Sequence, residues 1–417
     1  VQACGAERLA EEHTLLDILP ELPDTQCSWV LLAMSAVPRA NHLLRATPPT
    51  QVQEYARAHD DALWQALNKL LGTTGEAAEE NPLHRKLATL PGRMGGLGLR
   101  SADRTSTGAY WAAWCDALKV LKEKRPALAE MLLSQLDRPA EAQPACLREA
   151  TKAKELLLAC GQEGQPTWRQ AAEGLVAPPQ PEDAEAGEWR HGWQFTACAV
   201  LETYTRHNEI LPMATPQQQA VIRSQSGPSA GKWLTTTPKS PQLTLLPLRM
   251  QVSLRYRLLY KLPITRLRCS CRARLDAHGY HWAACPRTGR LRLRAKPLER
   301  TWAVVFREAG ARVQTDVLLR DTNLDNLAAN DRRQLEIVAT GLPLYRGVPL
   351  GVDCTMLAPL HADGRPWVNA DNGLGDAATT DGVAIARGER DKARTYPDLV
   401  NNNRLRLTTL ACETGGK

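Results

Sequence analysis

Apolar residues recur at helical spacing in the N-terminal part of the chain. In residues 51–71 they form one stripe, with His59 as its one polar interruption, and Gly72 follows as a stop signal. Residues 101–122 predict a second helix, whose aromatic side chains are expected to serve helix packing. The Gly-rich stretch between the two helices, residues 90–99, predicts a turn, and it lacks the ending of a phosphate-binding Walker loop. This pattern predicts a helical N-terminal region.

The C-terminal part of the chain has a different pattern, in which short alternating segments stand between helices. We predict a helix, three strands, a second helix and a last strand at residues 297–308, 312–319, 334–339, 348–357, 378–395 and 404–409. Pro297 is expected in the first turn of its helix. This order of elements indicates a small α/β domain, so the whole chain is predicted to be α+β.

The middle of the chain shifts in composition toward Ala, Glu, Gln and Pro. Residues 178–183 are typical of a flexible linker, and residues 147–160 and 193–205 predict weak helices on either side of it. We therefore divide the chain into a helical region, a linker with helical segments, a basic arm and a C-terminal domain, at residues 1–125, 126–245, 246–296 and 297–417.

The composition excludes several classes of protein. The 417 residues are 43% hydrophobic and 23% charged, which is ordinary for a globular protein and excludes collagen-like, coiled-coil and wholly disordered chains. The longest mostly apolar run, residues 27–37, is shorter than the roughly 20 residues of a membrane span, so no membrane partner is expected. The 11 cysteines favour reduced thiols, an intracellular location and a metal site over a disulfide framework. Because the chain begins at Val1, we expect it to be a piece of a longer polyprotein.

The net charge of +7 is concentrated in one segment. Residues 246–300 carry +12, residues 301–417 carry −1, and the rest of the chain carries −4. So dense a cationic block can neutralise phosphates, and we predict contact with nucleic acid. A solvated surface, or contact with an acidic partner domain, is the alternative. The candidate nucleic-acid-binding residues are Arg287, Arg290, Arg292, Arg294 and Lys296.

The same segment contains closely spaced cysteine and histidine residues. Cys269 and Cys271 are followed by His281 and Cys285, and four such ligands within 17 residues can close a tetrahedral zinc site. His278 competes with His281 for the imidazole position. Free thiols and surface histidines are the alternative, since the gap between the first two cysteines is tighter than usual. Bound zinc would fold this segment, because so small a piece buries little core.

Two acidic residues lie in neighbouring predicted strands. Glu336 and Asp353 stand on either side of a short turn, which would bring both carboxylates to one end of a sheet. Lys392 follows on the last predicted helix, with Tyr396 four residues later on the same face. Metal-dependent phosphodiester cleavage needs carboxylates that hold Mg²⁺ and a cation near the phosphate. An exposed strand position or an ordinary ion pair is the alternative role for each acid.

Together these motifs resemble the C-terminal part of the polyprotein of non-LTR retrotransposons that carry a restriction-like endonuclease. Residues 38–45, with Pro48 and Pro49, are similar to the thumb region of its reverse transcriptase, and residues 90–101 resemble the segment that follows the palm and thumb. Residues 269–285 resemble the zinc knuckle that precedes the nuclease. The nuclease core of this family is a variant of the PD-(D/E)xK fold. Its motif residues resemble the series Glu336, Asp353, Lys392 and Tyr396.

The resemblance implies target-primed reverse transcription, in which the nuclease nicks host DNA in the nucleus and the polymerase extends the exposed end on the element's RNA. Glu336 and Asp353 would then hold Mg²⁺, and Lys392 would stabilise charge on the phosphate. The zinc knuckle and the basic arm would grip DNA or RNA. The expected cofactors are therefore Zn²⁺ and Mg²⁺, and the expected partners are a DNA target and the element's RNA. The alternative is a binding module with an inactive nuclease, or a decayed element.

Three departures from the family pattern bear on function. The polymerase's two adjacent catalytic aspartates on a strand hairpin are absent, because Asp60 and Asp61 lie inside a predicted helix. This chain is therefore not expected to polymerise by itself. A Leu-Glu pair stands where Pro-Asp is usual before the first metal-binding strand. Thr355 stands where the general pattern has its lysine, so the lysine must come from Lys392.

Overall fold

The computed structural model describes residues 2–73, 81–179, 191–288, 290–325, 327–369 and 375–417, without the side chains of residues 2–4, 242, 288, 290–292, 369 and 375. This part of the chain combines many helices with one four-stranded sheet, so the predicted α+β class is confirmed. The predicted linker lies outside the described residues from position 180 onward.

The chain divides into two compact units, each built from more than one segment. The first unit comprises Val1–Gly92, Gly96–Met213 and Lys232–Leu258, and the second comprises Arg93–Gly95, Ala214–Gly231 and Leu259–Lys417. The four-part division made from the sequence stays a prediction.

The helices are, in chain order, α1 (Gln2–Ile18), α2 (Thr25–Leu31), α3 (Asn41–Ala46), α4 (Pro49–Leu71), α5 (Pro82–Ala88), α6 (Ala102–Lys124), α7 (Pro126–Leu136), α8 (Ala145–Ala159), α9 (Trp168–Ala172), α10 (Trp193–Thr205), α11 (Leu211–Met213), α12 (Pro216–Ser224), α13 (Pro247–Arg257), α14 (Tyr280–Ala284), α15 (Arg290–Glu308) and α16 (Val383–Thr395). Of the described helices, none combines the length and the apolar character that a membrane crossing needs.

The first unit is helical, and α6 lies at its centre. This helix packs against α3, α4, α7, α8, α9 and α10. Trp111 of α6 is fully buried and meets Trp193 of α10 edge to face, with 5.7 Å between the ring centroids. The expectation that the aromatic residues of this helix serve packing is thereby confirmed for Trp111.

The polar interruption in the α4 stripe, His59, is buried with the rest of that face. Its Nδ1 lies 2.6 Å from Oε2 of the buried Glu12, and the Tyr55 hydroxyl donates to the other oxygen of that carboxylate at 2.7 Å. A buried charge needs such partners, because an unpaired one would be costly. The predicted stop at Gly72 is confirmed, since its φ of 63° places it in the left-handed region that favours glycine.

The second unit contains the sheet. The strands are β1 (Arg312–Leu318), β2 (Gln334–Thr340), β3 (Leu350–Leu357), β4 (Val368–Asn369), β5 (Gly375–Asp376) and β6 (Arg406–Glu413). The four-stranded sheet has the order β1-β2-β3-β6, and β4 and β5 form a separate two-stranded ribbon. Strand β2 runs antiparallel to both β1 and β3, and β6 runs parallel to β3. The strands predicted from the sequence are present, with β3 and β6 each beginning two residues later than expected.

Helices α15 and α16 cover opposite faces of this sheet. Val352 and Cys354 of β3 share a buried cluster with residues of α15. Gly388 of α16 faces Thr355 and Leu357, which point to the other side of the strand from Val352 and Cys354. Asp353 lies on the same side as Thr355 and Leu357, so it points toward α16.

Helix α15 begins at Arg290, so the predicted start at Pro297 is wrong and this proline lies inside the helix. The preceding residues are mostly Arg, Leu, Ala and Lys, which favour the helix strongly enough to extend it through the proline. The extension attaches the end of the basic arm to the helix that covers the sheet.

Candidate functional site

The structure brings together the four residues proposed as zinc ligands. The ligand atoms of Cys269, Cys271, His281 and Cys285 all lie within 4.8 Å of one another, and three of these side chains are buried. His281 Nε2 lies 3.2 Å from Cys271 Sγ, and the Sγ atoms of Cys269 and Cys285 are 4.0 Å apart. Three thiols and one imidazole at these separations can hold a metal ion such as zinc.

Local backbone features form this cluster. The first two cysteines lie in a tight loop closed by a bridge between Arg268 and Arg274, and the left-handed residue Arg272 (φ 73°) turns the chain inside it. The two later ligands belong to α14, where His281 lies in the helix and Cys285 follows its last residue. The one-residue gap between the cysteines is therefore accommodated by a loop sharper than the usual knuckle spacing allows.

The carboxylate of Asp276 fixes the start of α14. Its oxygens accept hydrogen bonds from the backbone N–H groups of His278, Tyr280 and His281 at 2.9, 3.0 and 2.7 Å. An acceptor at a helix N-terminus satisfies donors that the helix itself leaves unpaired. This cap holds the imidazole of His281 next to the thiols.

The electrostatics of the cluster favour a thiolate at one of its cysteines, Cys269. A hydrogen bond from the Cys271 backbone lowers the pKa of the Cys269 thiol to about 6, so this residue is largely a thiolate at neutral pH. Burial opposes the protonated form of His281, but its hydrogen bond to the Ala362 carbonyl and the neighbouring cysteines raise its pKa overall. Burial raises the pKa of Cys285. The thiolate is the form that binds metal.

The imidazole in the cluster is that of His281, and His278 lies outside the group. The His278 ring stacks on Tyr280 with 5.2 Å between centroids, and its Nδ1 lies 3.3 Å from the Tyr260 carbonyl oxygen. Of the two candidates left open by spacing, the geometry favours His281.

The cluster is tied to the segment that follows β3. Nδ1 of His281 lies 2.8 Å from the Ala362 carbonyl oxygen, so this nitrogen donates and Nε2 is left free to face the thiols. Metal-binding histidines commonly use their second nitrogen in this way, which fixes the orientation of the ring.

The structure also brings three of the predicted nuclease residues together. Asp353 of β3 is buried, and its Oδ1 lies 2.5 Å from Nζ of Lys392 on α16. Glu336 stands one step beyond the last paired residues of β2 and β3, where the register places it opposite Asp353. Its Oε2 accepts a hydrogen bond of 2.6 Å from the backbone N–H of Cys354.

The two carboxylates influence each other. Burial raises the pKa of Glu336, and the negative charges of Asp353 and Glu299 raise it further, against the opposing effects of the Cys354 hydrogen bond and Lys392. A site that places like charges together in a partly buried position favours either a proton or a bound cation there.

Tyr396 follows α16 and packs against the sheet. Its hydroxyl donates to the Gln334 carbonyl oxygen at 2.6 Å, two residues before Glu336 on β2. Burial raises the pKa of this phenol, and the charge of Asp353 raises it further. The phenol is therefore held in its protonated form beside the carboxylates.

A third carboxylate, Glu299 of α15, was not predicted from the sequence as a site residue. It is buried, and one of its oxygens has no hydrogen-bond partner among the described residues. Its other oxygen accepts from Lys296 Nζ at 2.9 Å, and the same ammonium lies 3.3 Å from Asp316 of β1. Glu299 lies just beyond the basic arm, within residues 246–300, where the excess of Arg and Lys outweighs its negative charge. The one available signal was an isolated acid on the apolar side of a helix.

The residues predicted to contact nucleic acid lie in different environments. Arg287 is exposed. Arg294 donates to the Ala283 carbonyl oxygen at 2.6 Å, and Lys296 is paired with Glu299 and Asp316. The side chains of Arg290 and Arg292 lie outside the described residues.

The two adjacent aspartates of the first unit have structural partners. Asp60 accepts hydrogen bonds from the Ser101 hydroxyl at 2.6 Å and from the Ala102 backbone at 2.7 Å, which caps α6. Asp61 forms an ion pair with Arg85. Both lie in α4 and not on a strand hairpin, as the sequence predicts.

No protein-family model matches the chain. Over 123 residues the chain is 32% identical to the Retrotransposable element SLACS 132 kDa protein of Trypanosoma brucei gambiense. The matched segment is 29% of this chain and 10% of that protein, so the chain spans a small part of this relative's length. The similarity supports a retrotransposon origin for the chain.

Proposed function

We propose that the second unit is a Mg²⁺-dependent DNA endonuclease of the PD-(D/E)xK kind, which nicks the target site of a retrotransposon in the nucleus. The observation that carries this proposal is the meeting of Glu336 and Asp353 with the ammonium group of Lys392. The chain would be the C-terminal part of the element's polyprotein. Residues 1–125 would be a thumb-like region without the polymerase active site, and the element's RNA would be a second partner.

The carboxylate cluster, which is Glu336 and Asp353 with the charge of Glu299 nearby, would suit a hard cation. These residues offer only oxygen ligands, which Mg²⁺ prefers. One oxygen of Glu299 is buried without a hydrogen-bond partner among the described residues, and burial of such an atom is unfavourable unless it gains a partner. Mg²⁺ held by these residues would polarise a phosphate oxygen and lower the pKa of a bound water.

The chain's own residues then have separate tasks. Glu336 and Asp353 would hold the cation. Lys392, placed against Asp353, would stabilise negative charge on the scissile phosphate. Tyr396 would position the start of β2 through its hydrogen bond to the Gln334 carbonyl oxygen.

The Cys/His cluster would bind zinc and serve structure and nucleic-acid contact. It has four protein ligands, the number that closes a tetrahedral site and leaves no open position for substrate. Exposed arginines of the basic arm, Arg287 among them, would contact phosphates of DNA or RNA.

Nicking of supercoiled plasmid by the full chain in the presence of Mg²⁺ tests the proposal. We expect the wild type to produce open circles and Asp353→Asn to produce about 100-fold fewer or none, because the variant loses a charged ligand. The matched control is Asp321→Asn, which removes an exposed aspartate of the same unit and should nick as the wild type does. Equal absence of nicking in wild type and Asp353→Asn would exclude the enzyme.

The second candidate is a zinc-knuckle nucleic-acid-binding module with an inactive nuclease fold. The direct ion pair between Lys392 and Asp353 favours it, because it already neutralises one of the two carboxylates. This candidate predicts salt-sensitive DNA or RNA binding that zinc chelators weaken, together with an absence of nicking under every divalent cation tried.

A further inference from the structure

Four arginines lie at the end of the sheet where the turn joins β2 to β3. Arg312 opens β1 and pairs with Thr340 at the end of β2, while Arg406 opens β6 and pairs with Leu350 at the start of β3. Arg346 lies in the turn itself, and Arg404 precedes β6. We name this group the arginine rim: Arg312, Arg346, Arg404 and Arg406.

Two residues of the rim, Arg346 and Arg404, line a shallow cavity. Its volume is about 580 Å³, and its lining comprises Asn323, Arg346, Gly347, Val348, Pro349, Asn403 and Arg404. Among the described residues, no carboxylate lines it. Asp325 is the acid that meets the rim, through an ion pair of 2.8 Å with Arg404. Two guanidinium groups and two side-chain amides around an open hollow suit an oxygen-rich anion.

The backbone of the turn is strained in a way that exposes its arginine. Tyr345 and Arg346 have φ values of 48° and 62°, in the left-handed region that non-glycine residues seldom adopt, and Gly347 follows with a φ of 83°. Two such residues in succession cost stability, and such strain tends to mark functional positions. The Arg406 guanidinium lies over the Tyr345 ring at 4.2 Å, which holds the turn in this conformation.

We propose that the arginine rim is a second phosphate-binding site, which holds the DNA backbone away from the scissile position. The proposal rests on the nuclease function proposed above. Asp353 lies three residues along β3 from Leu350, a distance of about 10 Å, and the rim lies beyond that residue. For a duplex whose axis runs along β3, with a rise of about 3.4 Å per base pair, the rim would contact phosphates about three or more steps from the cleaved one.

Binding of a fluorescently labelled DNA duplex by the full chain, with zinc present and Mg²⁺ absent, tests this site without any need for cleavage. The test variant is Arg346→Gly/Arg404→Ala. Glycine relieves the left-handed strain at Arg346, so the melting temperature should not fall while two cations are removed. We expect about ten-fold weaker binding, and a reduction of about two in the slope of log affinity against log salt, since each phosphate contact contributes about one.

Two further variants decide the outcome. Arg138→Ala/Arg169→Ala removes two exposed arginines of the first unit and should leave affinity and slope unchanged. Arg346→Lys/Arg404→Lys keeps both charges and should keep most of the salt slope. An unchanged slope in the test variant, or an equal loss in the first-unit control, would overturn the proposal. If the test variant binds single-stranded RNA more weakly but binds the DNA duplex as the wild type does, the assignment of DNA as the ligand of the rim would be overturned. Because Mg²⁺ is absent, failure of nicking and failure of this site are separate results.

Discussion

The Cys/His cluster and the carboxylate cluster both gather several potential metal ligands, but the chain builds them in different ways. The four sulfur and nitrogen ligands come from one stretch between Cys269 and Cys285, shaped by a tight loop and a short helix. The carboxylates come from β2, β3 and α15, which join only when the whole second unit folds. The first cluster depends on local structure, and the second depends on the sheet.

This difference has an energetic consequence. A local set of soft ligands gains most of its folding free energy from the metal itself, which for short zinc-binding segments amounts to about 10–16 kcal/mol at neutral pH. The carboxylates sit on a sheet with its own buried core, which includes Ile337, Val352 and Phe306. Removal of a metal should therefore unfold the first cluster and leave the fold around the second intact.

The largest expected effect is that of Cys285→Ser in the full chain. This change removes a buried ligand of the Cys/His cluster, so we expect loss of about one zinc per chain and loss of amide protection in the segment around α14. Zinc analysis of the purified protein and hydrogen exchange measure the two effects. The matched variant His278→Ala removes the imidazole outside the cluster and should keep both zinc and protection. Retention of zinc in Cys285→Ser, or its loss in His278→Ala, would contradict the assigned ligand set.

The next effect concerns the carboxylate cluster and Lys392→Ala. We expect nicking to fall about 10²- to 10³-fold, the loss typical of a group that stabilises charge in the transition state. Because Asp353 loses its ion pair, half-maximal nicking should need the same or less Mg²⁺. A Mg²⁺ titration of nicking separates these two quantities. Arg394→Ala removes an exposed cation of the same helix and serves as control. A higher Mg²⁺ requirement with unchanged maximal rate would contradict this role.

The sequence predicted the two clusters to different depths, and the reason is physical. Ligand spacing alone indicated the Cys/His cluster, because its residues are near neighbours, yet spacing left His278 and His281 equivalent. The position of His281 inside α14 and its hydrogen bond to Ala362 distinguish them. Strand alternation indicated Glu336 and Asp353. Spacing could not show that Lys392 reaches Asp353, which depends on how α16 packs across the sheet.

The sequence did not indicate Glu299 as a residue of the carboxylate cluster. The prediction began its helix at Pro297, which left Glu299 in the first turn at the edge of a basic segment. In the structure α15 starts at Arg290, so this carboxylate lies well inside a helix that covers the sheet. Helix propensity carried the chain through the proline, and a boundary rule based on proline placed the acid wrongly. The arginine rim likewise draws on three separate chain segments, and no single motif indicates it.

The smallest expected effect tests whether Glu299 belongs to the carboxylate cluster. Glu299→Gln should reduce nicking about 10- to 100-fold, as expected for a group that supports the metal ligands. Glu308→Gln on the same helix removes an exposed carboxylate and should leave the rate unchanged. Rates that are equal in Glu299→Gln and the wild type would place Glu299 outside the site.

The pH dependence of nicking gives Glu299 a second readout that a purely structural role would not move. Burial and the charges of Asp353 and Glu299 raise the pKa of Glu336, so this carboxyl keeps its proton to a higher pH than an ordinary glutamate. A cation binds the ionised form, and nicking should therefore rise with pH through that raised pKa. Without a metal, the raised pKa of Glu336 stabilises the folded protein at low pH, where this carboxyl carries its proton. That contribution to the free energy of unfolding is lost as pH rises through the raised pKa.

Glu299→Gln removes one of the negative neighbours of Glu336. Without the charge of Glu299 the pKa of Glu336 falls. The acidic limb of the pH profile of nicking should therefore move to lower pH at saturating Mg²⁺. An acidic limb that stays in place, or moves to higher pH, would show that Glu299 acts on the fold and not on the charge of Glu336.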